Sequence, residues 1–204
     1  TKNSKIDLCI DHHFSNVLYA EKTYLDEKSA GACEAIFDIL KYMDIEIDRD
    51  IAECLYVGIS TDTGCFRFGN TTSKTLRTAA ELIDLGVNNA DVNRLQFETK
   101  SKEYAKLEQM AISSMNTYFS GKCAVLPITY DMFIKSGADD SDTSALASLP
   151  RQIEGVLIGV TMKEKVKGMF RISVRTNPPA DASAVAGMLG GGGHRLAAGC
   201  SFEG

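Results

Sequence analysis

An aspartate and two histidines stand side by side at Asp11-His12-His13, and these are two of only three histidines in the chain. A carboxylate beside two imidazoles supplies metal ligands and a proton-transfer group within one turn of chain. Imidazole and carboxylate together suit Mn²⁺, Fe²⁺ or Zn²⁺ better than a soft thiolate site would. The plainer alternative is a polar strand end with hydrogen-bonded histidines. A further carboxylate comes in Thr61-Asp62-Thr63-Gly64, where Asp-x-Gly on its own reads as a turn or cap. The following Cys65-Phe66-Arg67-Phe68 sets Arg67 between aromatics, where a guanidinium can hold a phosphate through paired hydrogen bonds.

The end of the chain carries residues suited to an anion. Gly190-Gly191-Gly192-Gly193-His194 lets backbone N–H groups approach a charged ligand that side chains would otherwise keep away. A flexible linker is the alternative, but the flanking sequence is Ala-rich and apolar rather than Ser-rich or polar. Arg175, at the end of Ser173-Val174-Arg175-Thr176, can face the same space, although a lone arginine there is more often a surface residue.

These residues need elements to hold them. Lys5–Ile10 reads as a buried strand ending at Asp11, and the carboxyl end of such a strand is where α/β sheets bind ligands. A parallel strand there lacks an upstream neighbour. Ser29 is placed to cap a helix with Ala32, Ile36, Ile39, Leu40 and Met43 on one face. Asp48 caps a second helix running towards Thr61, and a third follows Thr72-Ser73 and stops at Gly86. Residues 90–98 read as a short fourth, and Ser101 opens a long helix with Tyr104, Leu107, Ala111, Met115 and Tyr118 on one stripe. Beyond Gly121 come a strand over 123–129, a short helix over 130–136 and a helical stretch over 142–153 disturbed by Pro150. A hairpin over 155–162 and 167–175 precedes a helix capped by Asp181 and running to Leu189.

With 204 residues, 44% hydrophobic and 24% charged, the composition is that of a globular protein of one large or two small domains. The longest apolar run is far below the roughly 20 residues of a membrane span. No signal-peptide pattern is visible, and the expected compartment is the cytoplasm. None of Cys9, Cys33, Cys54, Cys65, Cys123 and Cys200 forms Cys-x-x-Cys, which excludes zinc-knuckle and thioredoxin readings. The net charge of −5 speaks against coating long nucleic acid. The charge is uneven, with 11 Lys and Arg against 17 Asp and Glu in residues 1–100, and 9 against 8 in residues 121–204. An acidic half suits a metal site, and the less acidic half suits an anion; chance segregation on solvated faces is the alternative.

In chain order, Ile10-Asp11-His12-His13-Phe14-Ser15-Asn16, Thr61-Asp62-Thr63-Gly64-Cys65-Phe66-Arg67, Ser173-Val174-Arg175 and Gly191-Gly192-Gly193-His194 resemble the DHH/DHHA1 phosphoesterases. The likeness is to their branch of nanoRNases, pAp phosphatases and cyclic-dinucleotide phosphodiesterases. It implies an α/β fold in two lobes: an incomplete parallel-sheet DHH domain over 1–100, a connecting helix over 101–120, and a smaller mixed-sheet DHHA1 substrate-binding domain over 121–204. It also implies metal-dependent hydrolysis of oligoribonucleotides of a few residues, linear or cyclic dinucleotides, or pAp, with two Mn²⁺ ions clamping the phosphate. By the same resemblance His12 and Asp62 are metal ligands, Asp11 orients the site and His13 contacts the scissile phosphate. Arg67, Arg175, Gly191, Gly192, Gly193 and His194 bind the substrate.

The family's other ligands, in an Asp-x-Asp motif and a further aspartate upstream of Asp-His-His, would both precede Thr1. Asp7, on the strand body, does not replace them. The resemblance therefore predicts a fragment that is inactive alone, with a non-catalytic nucleotide-binding or regulatory module as the alternative. Inorganic pyrophosphatases share Asp-His-His, but the Gly-Gly-Gly-His ending fits them poorly. Small size and acidic balance disfavour a RecJ-like exonuclease. Neither a membrane nor a long duplex is an expected partner, and a homodimer is left open.

Overall fold

The computed structural model describes residues 5–13, 16–143 and 145–203; Phe14 and Ser15 of the first motif lie outside the described residues. The chain divides into two units, Thr1–Thr99 and Lys100–Gly204.

In the first unit, β1 (Leu8–Asp11) and β2 (Lys22–Leu25) pair in parallel, with Leu8 opposite Lys22 and Asp11 opposite Leu25. The expectation of a buried strand is corrected here. Leu8 is 57% exposed, because among the described residues β2 is the one strand paired with β1. The core of this unit is helical. Helices α1 (Ala32–Tyr42), α2 (Arg49–Asp62) and α3 (Ser73–Asp84) bury Phe37, Leu55, Tyr56, Ile59 and Leu82 together.

Asp48 caps α2 by accepting from the Ile51 N–H at 2.9 Å, and Thr72 and Thr75 form a reciprocal capping box at the start of α3. Gly86 follows α3 with φ +100, a conformation in which a β-carbon would be strained. Ser29 does not cap α1, as the sequence suggested. Its hydroxyl donates instead to Asp26 at 2.7 Å, and Gly31 occupies the cap position. Helix α4 (Asn89–Asn93) runs into a π-type turn over Arg94–Glu98.

The second unit opens with α5 (Lys102–Ser113), capped by Ser101 and burying Tyr104, Leu107 and Ala111. This helix is shorter than the expected connector. The chain leaves it at Ser114, and β3 (Asn116–Tyr118) turns back through Phe119, Ser120 and Gly121, all at positive φ, to pair antiparallel with β4 (Cys123–Ile128). Both α5 and β3 belong to the second unit. Helix α6 (Tyr130–Ser136) follows. The helical stretch expected over 142–153 is a series of short 3₁₀ turns, Asp140–Thr143, Ala145–Ser148 and Pro150–Gln152. Pro150 starts the last of these, a first-turn position where its missing N–H costs nothing.

Strands β5 (Ile158–Val166) and β6 (Met169–Thr176) form the expected hairpin. Helix α7 (Ala182–Gly187), capped by Asp181, leads to β7 (Gly192–His194) and β8 (Ala197–Glu203). The sheet order is β3-β4-β5-β6-β8-β7, parallel between β4 and β5 and antiparallel elsewhere. Alternation along the strands sends Ile172, Val174, Ala198 and Cys200 to the face covered by α7. The opposite face packs Leu126 and Ile128 against α5 and α6. Further across, register places Arg171, Ser173 and Arg175 on that same face.

Candidate functional site

Asp11 ends β1, so the side chains of the last strand residue and the two after it gather at one edge. One ligand atom from each of Asp11, His12 and His13 lies within 4.8 Å of the others. Asp11 Oδ1 accepts from the backbone N–H of His12 at 2.7 Å and of His13 at 3.1 Å, and bonds His13 Nδ1 at 2.7 Å. Its Oδ2 accepts from Asn16 Nδ2 at 2.6 Å. Asn16, and then His13, hold the Asp11 carboxyl far below the usual carboxylate range. Asp11 thus fixes its own loop and turns His13 so that Nε2 is the nitrogen left to meet a ligand.

His12 faces a different carboxylate: its Nε2 stands 3.8 Å from Asp62 Oδ2. That separation is too long for a hydrogen bond, yet it suits two ligands each about 2 Å from a shared ion. Asp62 is the last residue of α2, where the Thr63 hydroxyl ties the helix end back to the Ile59 carbonyl at 2.6 Å. Asn70 Nδ2 donates to the carbonyls of both Asp62, at 3.1 Å, and Ala30, at 2.8 Å. Gly31 abuts the carboxylate itself, since a β-carbon there would lie 2.3 Å from Asp62 Oδ2. The buried Glu34 holds this loop by accepting from the Ala30 N–H at 2.6 Å. Sequence reasoning passed over Gly31, Glu34 and Asn70; for Glu34 the available signal was its place three residues after a capping position, whereas Gly31 and Asn70 act through contacts distant in the chain.

Arg67 is fastened to the turn that precedes it, its Nε donating to the Gly64 carbonyl at 2.6 Å. The turn itself is tight: Gly64, Cys65 and Phe66 all have positive φ. The terminal nitrogens of Arg67 make no hydrogen bond among the described residues.

In the second unit an open groove of about 460 Å³ is lined by Arg171, Ser173, Arg175, Gly192, Gly193 and Gly199, among others. Arg175 is half-buried, with one terminal nitrogen donating to the Val174 carbonyl at 3.1 Å. Burial, and then the nearby Arg151, lower its pKa. Part of the glycine run is strand, not the flexible linker that stood as the alternative reading. Gly192 and Gly193 lie in β7, opposite Gly199 and Ala198, and the Gly191 N–H donates to the Ala186 carbonyl at 2.9 Å. A β-carbon at Gly191 would sit 2.3 Å from the Gly199 oxygen, and one at Gly193 would sit 2.6 Å from Ala198 Cα. Those two glycines let β7 close on β8, whereas Gly192 faces open space. Gly191 and His194 are outside the groove lining; His194 is exposed, opposite Ala197.

Residues 120–204 match the DHHA1 domain. Over 196 residues, 96% of this chain, the sequence is 34% identical to a bifunctional oligoribonuclease and PAP phosphatase NrnA of Thermus thermophilus, of which the match covers 58%. It is 30% identical over 199 residues to a probable protein of the same name from Streptococcus mutans, covering 98% of this chain and 63% of that one. The chain carries a DHHA1 domain over residues 120–204 and is similar to these relatives over nearly all of its own length. A crystal structure of an exopolyphosphatase-related protein from Bacteroides fragilis matches the fold with a TM-score of 0.88 at 25% identity, over 98% of this chain and 59% of that one. The chain spans about three fifths of the length of the relatives it matches. No helix among its described residues is long and apolar enough to cross a membrane.

Proposed function

We propose that the protein carrying this chain is a metal-dependent phosphoesterase acting on short nucleotides: oligoribonucleotides of a few residues, linear or cyclic dinucleotides, or pAp. The observation that carries this reading is the approach of His12 Nε2 to Asp62 Oδ2 at 3.8 Å, beside a His13 that Asp11 orients. The names of the two NrnA relatives support the choice of substrate class. A donor set of imidazole nitrogen and carboxylate oxygen fits Mn²⁺, with His12 and Asp62 as ligands within a pair of ions. Bound there, such ions acidify a water and neutralise charge on the phosphate.

His13, held through Nδ1 by Asp11, presents Nε2 to the scissile phosphate. Arg67 holds the substrate in the first unit. Arg175, Gly191, Gly192, Gly193 and His194 hold it in the second, Gly191 and Gly193 by keeping β7 against β8. Two ligands do not hold two ions, so residues 1–204 by themselves do not turn substrate over. The modest net charge of −5 and the free cysteines fit short substrates and the cytoplasm rather than a long duplex.

The test is hydrolysis of pApA and pAp by the full-length natural protein as Mn²⁺ is added. His12→Ala should remove most of kcat and reduce bound metal. Activity indifferent to chelation would refute the metal reading. Nucleotide binding without any turnover at saturating Mn²⁺ would mark a non-catalytic module instead.

A further inference from the structure

Arg171 lies four residues before Arg175 on the same face of β6, and both line the same groove. A strand rises about 3.3 Å per residue, so their Cα atoms stand about 13 Å apart. Between them is Ser173, in register with Gly199 on β8, while Arg171 itself faces Ser201. The groove is thus a floor of small residues with a guanidinium at each end.

Neither arginine has an ion-pair partner among the described residues. Asp140 lines the adjoining hollow but is engaged by Lys163, which stands opposite Arg171 on β5 and also donates to Thr143. Glu203 lies opposite Met169, one pleat beyond Ser201, and makes no ion pair with Arg171. An isolated exposed arginine is ordinarily a solvated surface residue. Two that share a groove, aligned along one strand without acidic partners, fit a ligand bearing separated negative charges.

We propose that Arg171 is a length-selecting residue that binds a second phosphate of the nucleotide chain held at Arg175. The proposal rests on the reading of this groove as the nucleotide site. The two phosphates of pAp hang on one ribose and lie closer together than the two arginines. An oligonucleotide carries phosphates far enough apart to reach both. The groove would then favour chains of several nucleotides over pAp through Arg171, while Arg175 serves every substrate.

The experiment measures Kd by calorimetry in EDTA, where binding is read without turnover, for pAp and a 5′-phosphorylated ribotetranucleotide. It uses the full-length natural protein and its Arg171→Ala, Arg171→Lys and Arg175→Ala variants. Losing a charge-assisted contact should raise the Kd ratio of tetranucleotide to pAp about tenfold in Arg171→Ala. Arg171→Lys should recover part of that ratio, because it keeps the charge without the planar fork. An unchanged ratio in Arg171→Ala, with Arg175→Ala weakening both ligands, overturns the role of Arg171 and leaves the groove reading standing. Undiminished binding in both alanine variants overturns the groove reading and this inference with it.

Discussion

Gly31→Ala should damage the proposed metal site while leaving the fold nearly intact. Gly31 has φ −164, extended backbone that alanine adopts without strain, so the effect is one of space. A β-carbon there would lie 2.3 Å from Asp62 Oδ2, 3.0 Å from Asp62 Cβ and 3.1 Å from Asp62 Cγ. Turning the carboxylate alone does not relieve the contacts to Cβ and Cγ, so the whole side chain must retreat. Restoring even a tight contact moves Oδ2 by most of an ångström, and misplacement of about 1 Å can cost on the order of a hundredfold in rate. The cost in stability is much smaller. Exchanging glycine for alanine at a helix cap costs roughly 0.5–1 kcal/mol, or a few degrees in Tm for a protein of this size. Mn²⁺ affinity by calorimetry and kcat on pAp should therefore both fall steeply while Tm barely moves. Asp62→Asn serves as the reference. If it loses metal while Gly31→Ala keeps wild-type affinity and kcat, Gly31 does not position the ligand. If both keep metal, Asp62 is not a ligand at all.

Arg175→Ala should raise KM roughly ten- to a hundredfold through the loss of a charge-assisted contact, with kcat held, and neither it nor His194→Ala should alter metal content. A large kcat loss at unchanged KM would move these residues into the catalytic set. Leu107 is fully buried among Tyr104, Leu126 and Leu146, so Leu107→Ala should cost about 2–5 kcal/mol in urea unfolding of the second unit. A loss below about 1 kcal/mol would mean that this core collapses around the gap. Lys163 holds the Asp140 carboxyl below its ordinary value. The pair therefore stabilises the fold above an unfolded pKa of about 3.9 and loses its contribution as pH falls through the depressed value. Asp140→Asn should destabilise at pH 7 and progressively less towards pH 3; a difference that does not change with pH would show that the charge on Asp140 does not matter.

What could be read from the sequence was what is decided locally. Asp48, Thr72, Ser101 and Asp181 are short polar residues placed just ahead of apolar periodicity, and each caps the helix that follows. Asp11, His12 and His13 are adjacent in the chain, so their clustering needed no tertiary information. Lys22-Thr23-Tyr24-Leu25 is too short to show alternation, and it becomes a strand because β1 offers it a ladder. Ser29 had a cap's chemistry, but Asp26 claimed its hydroxyl. The glycine run showed its conformational freedom without its partner. Only the pairing of Gly192 with Gly199 and of Gly193 with Ala198 makes it an edge strand. Gly31 and Asn70 matter through approaches to Asp62 and Ala30 that no local pattern contains.

The charge asymmetry bears on how the two units divide the proposed work. Residues 1–100 carry 17 Asp and Glu against 11 Lys and Arg, whereas residues 121–204 are nearly balanced at 8 against 9. A phosphate approaching Asp11 and Asp62 meets charge of its own sign. Two like charges 4 Å apart repel by about 1 kcal/mol in water and about 4 kcal/mol at an effective dielectric of 20. On the proposed reading, cations at His12 and Asp62 would reverse that repulsion, so the metal would serve the entry of the substrate as well as the chemistry. In the proposed division Arg175 offers the nucleotide a positive charge with no ion-pair partner among the described residues, and it needs no metal. Chelation should therefore abolish turnover yet leave nucleotide binding that depends on Arg175. Calorimetry with pAp in EDTA should show binding to the wild type and a roughly ten- to hundredfold loss in Arg175→Ala. If chelation alone abolished binding to the wild type, the metal site rather than Arg175 would be holding the nucleotide, and this division between the units would fail.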